Sequence, residues 1–231
     1  MSSGNGPSTV SAVATILGKD LRVELRTLQS IPAMVLFSTT IYVIFRFGLD
    51  RTQLDGGLAT GVLLVTILFA ALLAINRLFV AEREQGGFEA VRLAPVDGTA
   101  LFLAKALALL VYLTILELVA VPVFWLFFLG SGSGLLPMLP VLLLLNGALA
   151  CTGALISPIA TNSTARDLIG PLILLPLLVP PMVAASAAGE KLLLEGGPVY
   201  DKYASWLAAL GLYDAIFLLI GWAVFDFLLE D

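Results

Sequence analysis

Long apolar stretches dominate the chain and alternate with short polar connections. A transmembrane α-helix needs about 20 consecutive, mainly apolar residues to cross the hydrocarbon core of a bilayer. Six stretches meet this requirement, so the pattern predicts an all-α integral membrane protein with six transmembrane helices. The predicted spans are Gln29–Phe47, Leu58–Ala81, Ala100–Leu129, Leu135–Ala160, Leu168–Ala188 and Ala204–Leu229.

The segment before the first span has a different pattern. Its apolar residues recur at steps of three and four, which places them on one face of a helix. A helix of this kind lies in the plane of the membrane interface and does not cross the bilayer. We therefore predict an interfacial helix over residues 10–28, with a short soluble helix packed on a partner as the alternative. The apolar positions are Val10, Val13, Leu17, Leu21, Leu25 and Leu28.

Residues 1–9 are small and polar, and we expect them to be disordered. They lack the basic residues and the early apolar stretch of a cleavable signal peptide. We therefore expect the first span to stay in the mature protein, with residues 29–231 forming the six-span membrane domain.

Composition agrees with a membrane location and argues against several kinds of chemistry. Apolar residues make up 59% of the 231 positions and charged residues 13%, whereas soluble domains carry about twice that charged fraction. The formal net charge of −5 and the lack of a basic stripe argue against a nucleic-acid partner. The sequence has no histidine, which is the commonest metal ligand and general base. Its single cysteine, Cys151, excludes an intrachain disulfide.

The distribution of basic residues predicts the orientation, because Lys and Arg are enriched in cytoplasmic connections. With a cytoplasmic N-terminus, eight basic residues fall on the inner side and four on the outer side. We therefore expect both termini to be cytoplasmic. The inner residues are Lys19, Arg22, Arg26, Arg77, Arg83, Arg92, Lys105 and Arg166, and the outer ones are Arg46, Arg51, Lys191 and Lys202.

Aromatic residues cluster near the predicted outer boundaries, at Phe124–Phe128 and at Tyr200, Tyr203 and Trp206. Such residues form interfacial belts in membrane proteins, and they also serve in ordinary helix packing. The sequence leaves both interpretations open.

The connection between the second and third spans, residues 76–95, is the most charged part of the sequence. The Gly86-Gly87 pair permits a sharp turn. Phe88 and Val91 are three residues apart and would share one side of a short helix, and Pro95 favours an end to it. A short charged helix with apolar contacts suits docking into a groove on a soluble partner. The alternative is a solvated loop whose charges only fix the topology.

These segments carry a resemblance to a known family. The sequence resembles ABC-2 type exporter permeases, which have an interfacial elbow helix before span one and a coupling helix between spans two and three. More narrowly, residues 15–228 resemble the haem exporter protein B (CcmB) family of cytochrome c maturation. The matching segments are Lys19–Arg26, Arg77–Glu84, Gly86–Glu89, Leu93–Pro95, Lys105, Arg166–Leu168 and Leu174–Pro180.

The resemblance implies partners and a site of contact with them. It implies a dimeric cytoplasmic ABC ATPase, companion haem-handling membrane subunits, and a complex in the bacterial inner membrane that transfers haem to a periplasmic chaperone. The coupling helix implied at about residues 82–95 contains Glu82, Arg83, Glu84, Gly86, Gly87, Phe88, Glu89, Val91, Arg92 and Pro95.

We expect a non-catalytic subunit that binds no cofactor tightly. The sequence contains no G-x-x-x-x-G-K-[ST] motif, so the ATP has to bind a partner. Without histidine, a fixed iron-ligating site is not expected, although Met34, Met182 and the tyrosines stay open as weak ligands.

Two acidic residues inside predicted spans are candidates for a functional role, because ionisable groups are costly in the membrane. Glu117 falls near mid-membrane and is interpreted as a protonated structural acid or as a contact for another membrane subunit. Asp214 falls in the outer half of span six, where water access would explain it. These two and Asn146 are too scattered along the sequence to predict an enzyme site. Four prolines in span five predict either a fixed kink or a moving gate; they are Pro171, Pro176, Pro180 and Pro181.

Two other functional classes stay open at this point. An ABC-2 permease that exports a lipid, a glycan or a drug would share the coupling helix. A membrane enzyme would need an acid, a base or metal ligands at one depth.

Overall fold

The computed structural model describes residues 8–49, 54, 56–78, 97–129, 135–161, 166–195 and 200–230. Helices account for nearly all of these residues, and a five-residue π-helical turn, Trp125–Leu129, extends the fourth helix. The helices are α1 (Thr9–Thr27), α2 (Ser30–Gly48), α3 (Gly56–Arg77), α4 (Gly98–Phe124), α5 (Leu135–Thr161), α6 (Arg166–Glu195) and α7 (Tyr200–Glu230).

Helices α2 to α7 are each long and apolar enough to cross a membrane, so the prediction of an all-α membrane protein with six spans and an N-terminal helix is confirmed. Large apolar side chains cover the outside of the bundle as well as its core. Leu36, Phe47, Leu118 and Leu172 are each more than two-thirds exposed. Without a bilayer this much apolar surface would face water, so these exposed side chains are suited to contact lipid tails.

Side-chain contacts show which helix ends lie together. Lys105, near the start of α4, reaches the Leu78 carbonyl at the end of α3 and the carboxylate of Asp20 in α1. Phe102 packs against Phe225 near the end of α7, with ring centroids 5.4 Å apart. Helix α1, the end of α3, the start of α4 and the last turns of α7 therefore share one end of the bundle.

The face of α1 that packs on the bundle is more polar than the sequence pattern predicted. Asp20 and Glu24 are its buried residues, whereas Val10, Leu25 and Leu28 are each more than half exposed. The two carboxylates face inward because they meet an ammonium group and backbone N–H donors there. Three apolar residues pack beside them, namely Ile16, Leu17 and Leu21. The interfacial placement of residues 10–28 stays a prediction.

The four prolines of α6 do not divide it, because the helix is continuous from Arg166 to Glu195. Proline lacks an N–H, so each one deprives the carbonyl four residues earlier of its normal donor. Pro181 in this way deprives the carbonyl of Leu177. The Tyr213 hydroxyl of α7 donates to that carbonyl at 2.8 Å, and the Thr152 hydroxyl of α5 lies 3.4 Å from Tyr213 Oη. Neighbouring helices thus satisfy the carbonyl, which favours the fixed kink over the gate.

The aromatic residues at one predicted outer boundary form internal packing. Phe124 and Phe128 are fully buried, and their ring centroids lie 5.5 and 6.1 Å from that of Tyr42. Tyr203 at the other boundary is 3% exposed. These residues therefore belong to the core, and the interpretation as an interfacial belt is wrong for them.

Two glycines of α7 provide a matched pair that tests the packing of this helix. A Cβ at Gly221 would overlap the fully buried ring of Phe102, whereas a Cβ at Gly211 would meet no neighbouring atom within 4 Å. We expect Gly221→Ala to lower the free energy of unfolding by about 1–3 kcal/mol, because the ring has to move. Gly211→Ala should be neutral or slightly stabilising. Thermal unfolding of the detergent-purified variants measures both, and equal melting temperatures would contradict this packing.

Candidate functional site

The predicted coupling helix lies outside the described residues. This applies to every residue assigned to it, namely Glu82, Arg83, Glu84, Gly86, Gly87, Phe88, Glu89, Val91, Arg92 and Pro95. The two residues that flank the segment 79–96 are described, and they show how each side of it is anchored. Asp97 accepts a hydrogen bond from the Thr99 backbone N–H at 3.1 Å and so caps the start of α4. Leu78 closes α3 by donating to the Ile75 carbonyl at 3.1 Å.

A buried lysine joins three helices at this point. Lys105 of α4 is 1% exposed, and its Nζ lies 2.8 Å from Asp20 Oδ2 in α1. The same ammonium donates to the Leu78 carbonyl at 3.2 Å. The ammonium therefore compensates both the carboxylate and a carbonyl at the C-terminal end of α3, where the helix dipole favours a cation.

Two further hydrogen bonds brace the same region. Ser157 of α5 donates to the Ile75 carbonyl at 3.2 Å, and the Tyr112 hydroxyl donates to the Asp20 carbonyl at 3.4 Å. Helices α3 and α5 can approach closely because Gly153 has no side chain. A Cβ there would lie 2.7 Å from Ile75 Cδ1. The last turn of α3 is thus bonded directly to α4 and α5, and through Lys105 to α1. We call the residues Asp20, Ile75, Leu78, Lys105, Tyr112 and Ser157 the basal junction.

Glu24 connects α1 to the first membrane span. Its Oε1 accepts hydrogen bonds from the backbone N–H groups of Ser30 and Ile31 at 2.8 and 2.9 Å. These N–H groups have no carbonyl partner within the first turn of a helix, and a carboxylate also suits the positive end of the helix dipole. Leu28 turns the chain between α1 and α2 with a φ of 48°. Helix α1 is therefore bonded to the start of α2 as well as to α4.

The acidic residues inside the spans are closer in the fold than in the sequence. The Asn146 side chain of α5 lies within hydrogen-bonding reach of the Glu117 carboxyl, and an ideal Cβ on the adjacent Gly147 would lie 2.6 Å from Asp214 Oδ2. Both carboxyls thus lie against successive residues near the middle of α5. The interpretation of these groups as scattered is wrong, because antiparallel helices bring distant positions to one height.

Asp214 lies within the apolar stretch Tyr203–Phe225 of α7. Its Oδ1 atom is buried and has no hydrogen-bond partner among the described residues. The placement of Asp214 in the outer half of the membrane stays a prediction.

Sequence reasoning missed most of the basal junction. Asp20 and Lys105 both stand in the segments that carry the family resemblance, but nothing in the sequence pairs positions 85 residues apart. Nothing in the sequence marks Tyr112 and Ser157 as contacts between helices, because single hydroxyl residues are common in apolar stretches. Across the described segments, no group of three His, Cys, Asp or Glu residues could hold a metal ion.

The Lys105–Asp20 ion pair gives a direct test of the basal junction. Removing one partner of a buried pair leaves an uncompensated charge and costs about 3–5 kcal/mol. We therefore expect Lys105→Met to lower the melting temperature and the yield of folded protein. Combining it with Asp20→Leu should recover part of the loss, since the double variant buries no unpaired charge. Melting curves by fluorescence-detected size-exclusion chromatography measure both.

The control for this test is Lys19→Met. Lys19 is 54% exposed and lies 3.3 Å from Asp20 Oδ1, and exposed pairs contribute at most about 1 kcal/mol. An equal loss of stability in Lys19→Met and Lys105→Met would show that the buried geometry is not the source of the effect.

Comparison with known proteins places the chain in a family. The family model described as CcmB protein matches residues 11–225. The chain is 28% identical to heme exporter protein B of Bradyrhizobium diazoefficiens over 90% of its own length and 93% of that protein. It is also 28% identical to heme exporter protein B of Pseudomonas aeruginosa, over 84% and 87% of the two chains. Because the family model covers nearly all of the sequence, including all six spans, the chain belongs to the CcmB protein family.

Proposed function

We propose that this protein is the membrane subunit of an ABC complex for cytochrome c biogenesis in the bacterial inner membrane. In this proposal it couples ATP hydrolysis by a separate ATPase to the transfer of haem to a periplasmic chaperone. The printed names of the relatives, heme exporter protein B, support the haem-export part. The basal junction supports the coupling part, because it joins the end of α3, from which the segment 79–96 departs, to three other helices.

The partners follow from what the sequence contains. It has no P-loop motif, so the proposed nucleotide site belongs to a cytoplasmic ATPase dimer. The lack of histidine supports placing tightly held haem in companion membrane subunits. The eight-to-four basic asymmetry supports cytoplasmic termini and a cytoplasmic coupling segment.

The proposed coupling path begins at residues 82–95 and enters the bundle at Leu78 and Asp97. A displacement of the end of α3 would act on Lys105 through the Leu78 carbonyl, and through Lys105 on Asp20 of α1. Because Glu24 bonds α1 to the start of α2, the displacement would also reach the first span. Hydrogen-bond and ion-pair networks that join packed helices are one physical route by which coupling passes between distant sites.

Deleting the gene tests the cargo assignment. We expect the loss of covalently bound c-type haem while b-type cytochromes remain, because only the c-type route requires haem transfer to apocytochrome. Haem staining of membrane fractions, together with absorbance spectra, measures both classes. Unchanged c-type cytochromes would favour the alternative of an ABC-2 permease for a lipid, a glycan or a drug.

Variants of Phe88 and Glu89 distinguish between two interpretations of the segment, a docking surface for the ATPase and a loop that only fixes the topology. Burying a phenylalanine contributes roughly 1.5–3 kcal/mol, whereas an exposed ion pair contributes at most about 1 kcal/mol. We therefore expect Phe88→Ala to weaken capture of the ATPase by about 10-fold or more, with normal membrane insertion. The matched variant Glu89→Gln should be milder. Pull-down of the ATPase and haem staining of c-type cytochromes are measured for both variants. Full capture of the ATPase by Phe88→Ala would contradict the assignment of residues 82–95 as the coupling helix.

A further inference from the structure

The interior of the bundle contains a polar cluster that the coupling path does not use. Three helices contribute to it, with Tyr42 from α2, Glu117 from α4 and Asn146 from α5. Tyr42 is fully buried and Asn146 is 1% exposed. Asn146 lies within hydrogen-bonding reach of Glu117, and Tyr42 is close enough to interact electrostatically with the same carboxyl. The cluster therefore surrounds Glu117 from two sides.

Two acceptor oxygens of the cluster lack a donor. Glu117 Oε1 and Asn146 Oδ1 are buried and have no hydrogen-bond partner among the described residues, and neither does the Tyr42 hydroxyl oxygen. A carboxylate oxygen and an amide oxygen can only accept. Thr66 of α3 is nearby, but its hydroxyl hydrogen is donated to the Val62 carbonyl at 2.7 Å. A donor placed between Glu117 Oε1 and Asn146 Oδ1 would satisfy both.

The protein supplies no cation to this cluster within the described part of the chain. Lys105 is the buried basic residue there, and it pairs with Asp20 at 2.8 Å. It also lies twelve residues before Glu117 in α4, which corresponds to about 18 Å along the helix. The titratable group on the α7 side is Asp214, which lies against Gly147 and is not a cation. Among the described residues, Glu117 is therefore next to an amide and a hydroxyl and not next to Lys105.

A proton meets the need for a donor better than a metal ion. Divalent ions such as Ca²⁺ and Mg²⁺ take about six or more oxygen ligands, whereas Glu117, Asn146 and Tyr42 together carry four side-chain oxygens. A protonated Glu117 becomes a donor, and a carboxylic acid and a primary amide can each donate to the other. The proton would therefore satisfy both Glu117 Oε1 and Asn146 Oδ1.

We propose that Glu117 is a proton-binding site in the interior of the bundle, where its neutral carboxyl pairs with the Asn146 amide. Release of the proton would leave a buried carboxylate between α4 and α5 without a partner charge, so the packing of these helices is linked to proton binding. This inference concerns a property of the chain itself and does not depend on the proposed cargo or ATPase.

Infrared difference spectroscopy on the purified protein in lipid nanodiscs tests the proton directly. We measure the C=O stretching band of a protonated carboxyl at neutral pH in an Asp214→Asn background, which removes the second acid with an unpartnered buried oxygen, and expect the band to be lost when Glu117→Gln is added. In the same background, Asn146→Leu should shift the band to higher frequency, because the acid loses its acceptor. A band that persists in the Glu117→Gln double variant, or one that does not move in the Asn146→Leu double variant, would overturn the assignment.

Thermal unfolding across pH provides a second, independent measurement. The folded state binds a proton that the unfolded chain releases more readily, so this contribution is present at low pH and is lost as the pH rises. We expect Glu117→Gln to unfold with less loss of melting temperature at alkaline pH than the native protein. Identical pH profiles would contradict the proposal. A native melting temperature that depends on sodium, with no such dependence in Glu117→Gln, would identify a metal cation as the occupant and also overturn it.

Discussion

The contact of Lys105 with Asp20 and with the Leu78 carbonyl is the interaction on which one end of the bundle depends. A lysine in an apolar span is costly unless its charge is compensated, and here the compensation comes from two other helices. That requirement ties α1 to α4, since the ammonium lies 2.8 Å from the Asp20 carboxylate. It also fixes the end of α3, whose last carbonyls need donors that the helix itself does not supply.

The same constraint accounts for features that would otherwise look unrelated. In a bilayer, polar groups find partners within the protein because lipid offers none. Glu24 satisfies the first N–H groups of α2, Ser157 satisfies a carbonyl of α3, and Tyr213 satisfies the carbonyl that Pro181 deprives of a donor. Ser157 and Tyr213 are thus single polar residues in otherwise apolar helices that bond to a neighbouring helix.

The sequence predicted the helices well and the contacts poorly, for a physical reason. Span number and type depend on local hydropathy, and the six stretches from Gln29 to Leu229 correspond to α2–α7 with boundaries shifted by a few residues. The pairing of Asp20 with Lys105, and of Glu117 with Asn146, depends on which helix faces lie together. Hydropathy does not encode this, because a lipid-facing leucine and a core leucine look alike. The apolar pattern of α1 is divided for the same reason, since Leu17 and Leu21 pack on the bundle whereas Val10, Leu25 and Leu28 are exposed.

The basal junction and the polar side chains against the middle of α5 differ in how many of their polar atoms have bonding partners. This difference separates their roles. At the basal junction, the Lys105 ammonium is compensated by the Asp20 carboxylate and the Leu78 carbonyl. At the middle of α5, Glu117 and Asp214 lie against successive residues with buried oxygens that lack partners in the described structure. The bonded end of the bundle suits the transmission of force from a partner. The centre suits a change of state, because removing one proton takes away the donor between Glu117 of α4 and Asn146 of α5 while the bonds of the basal junction remain.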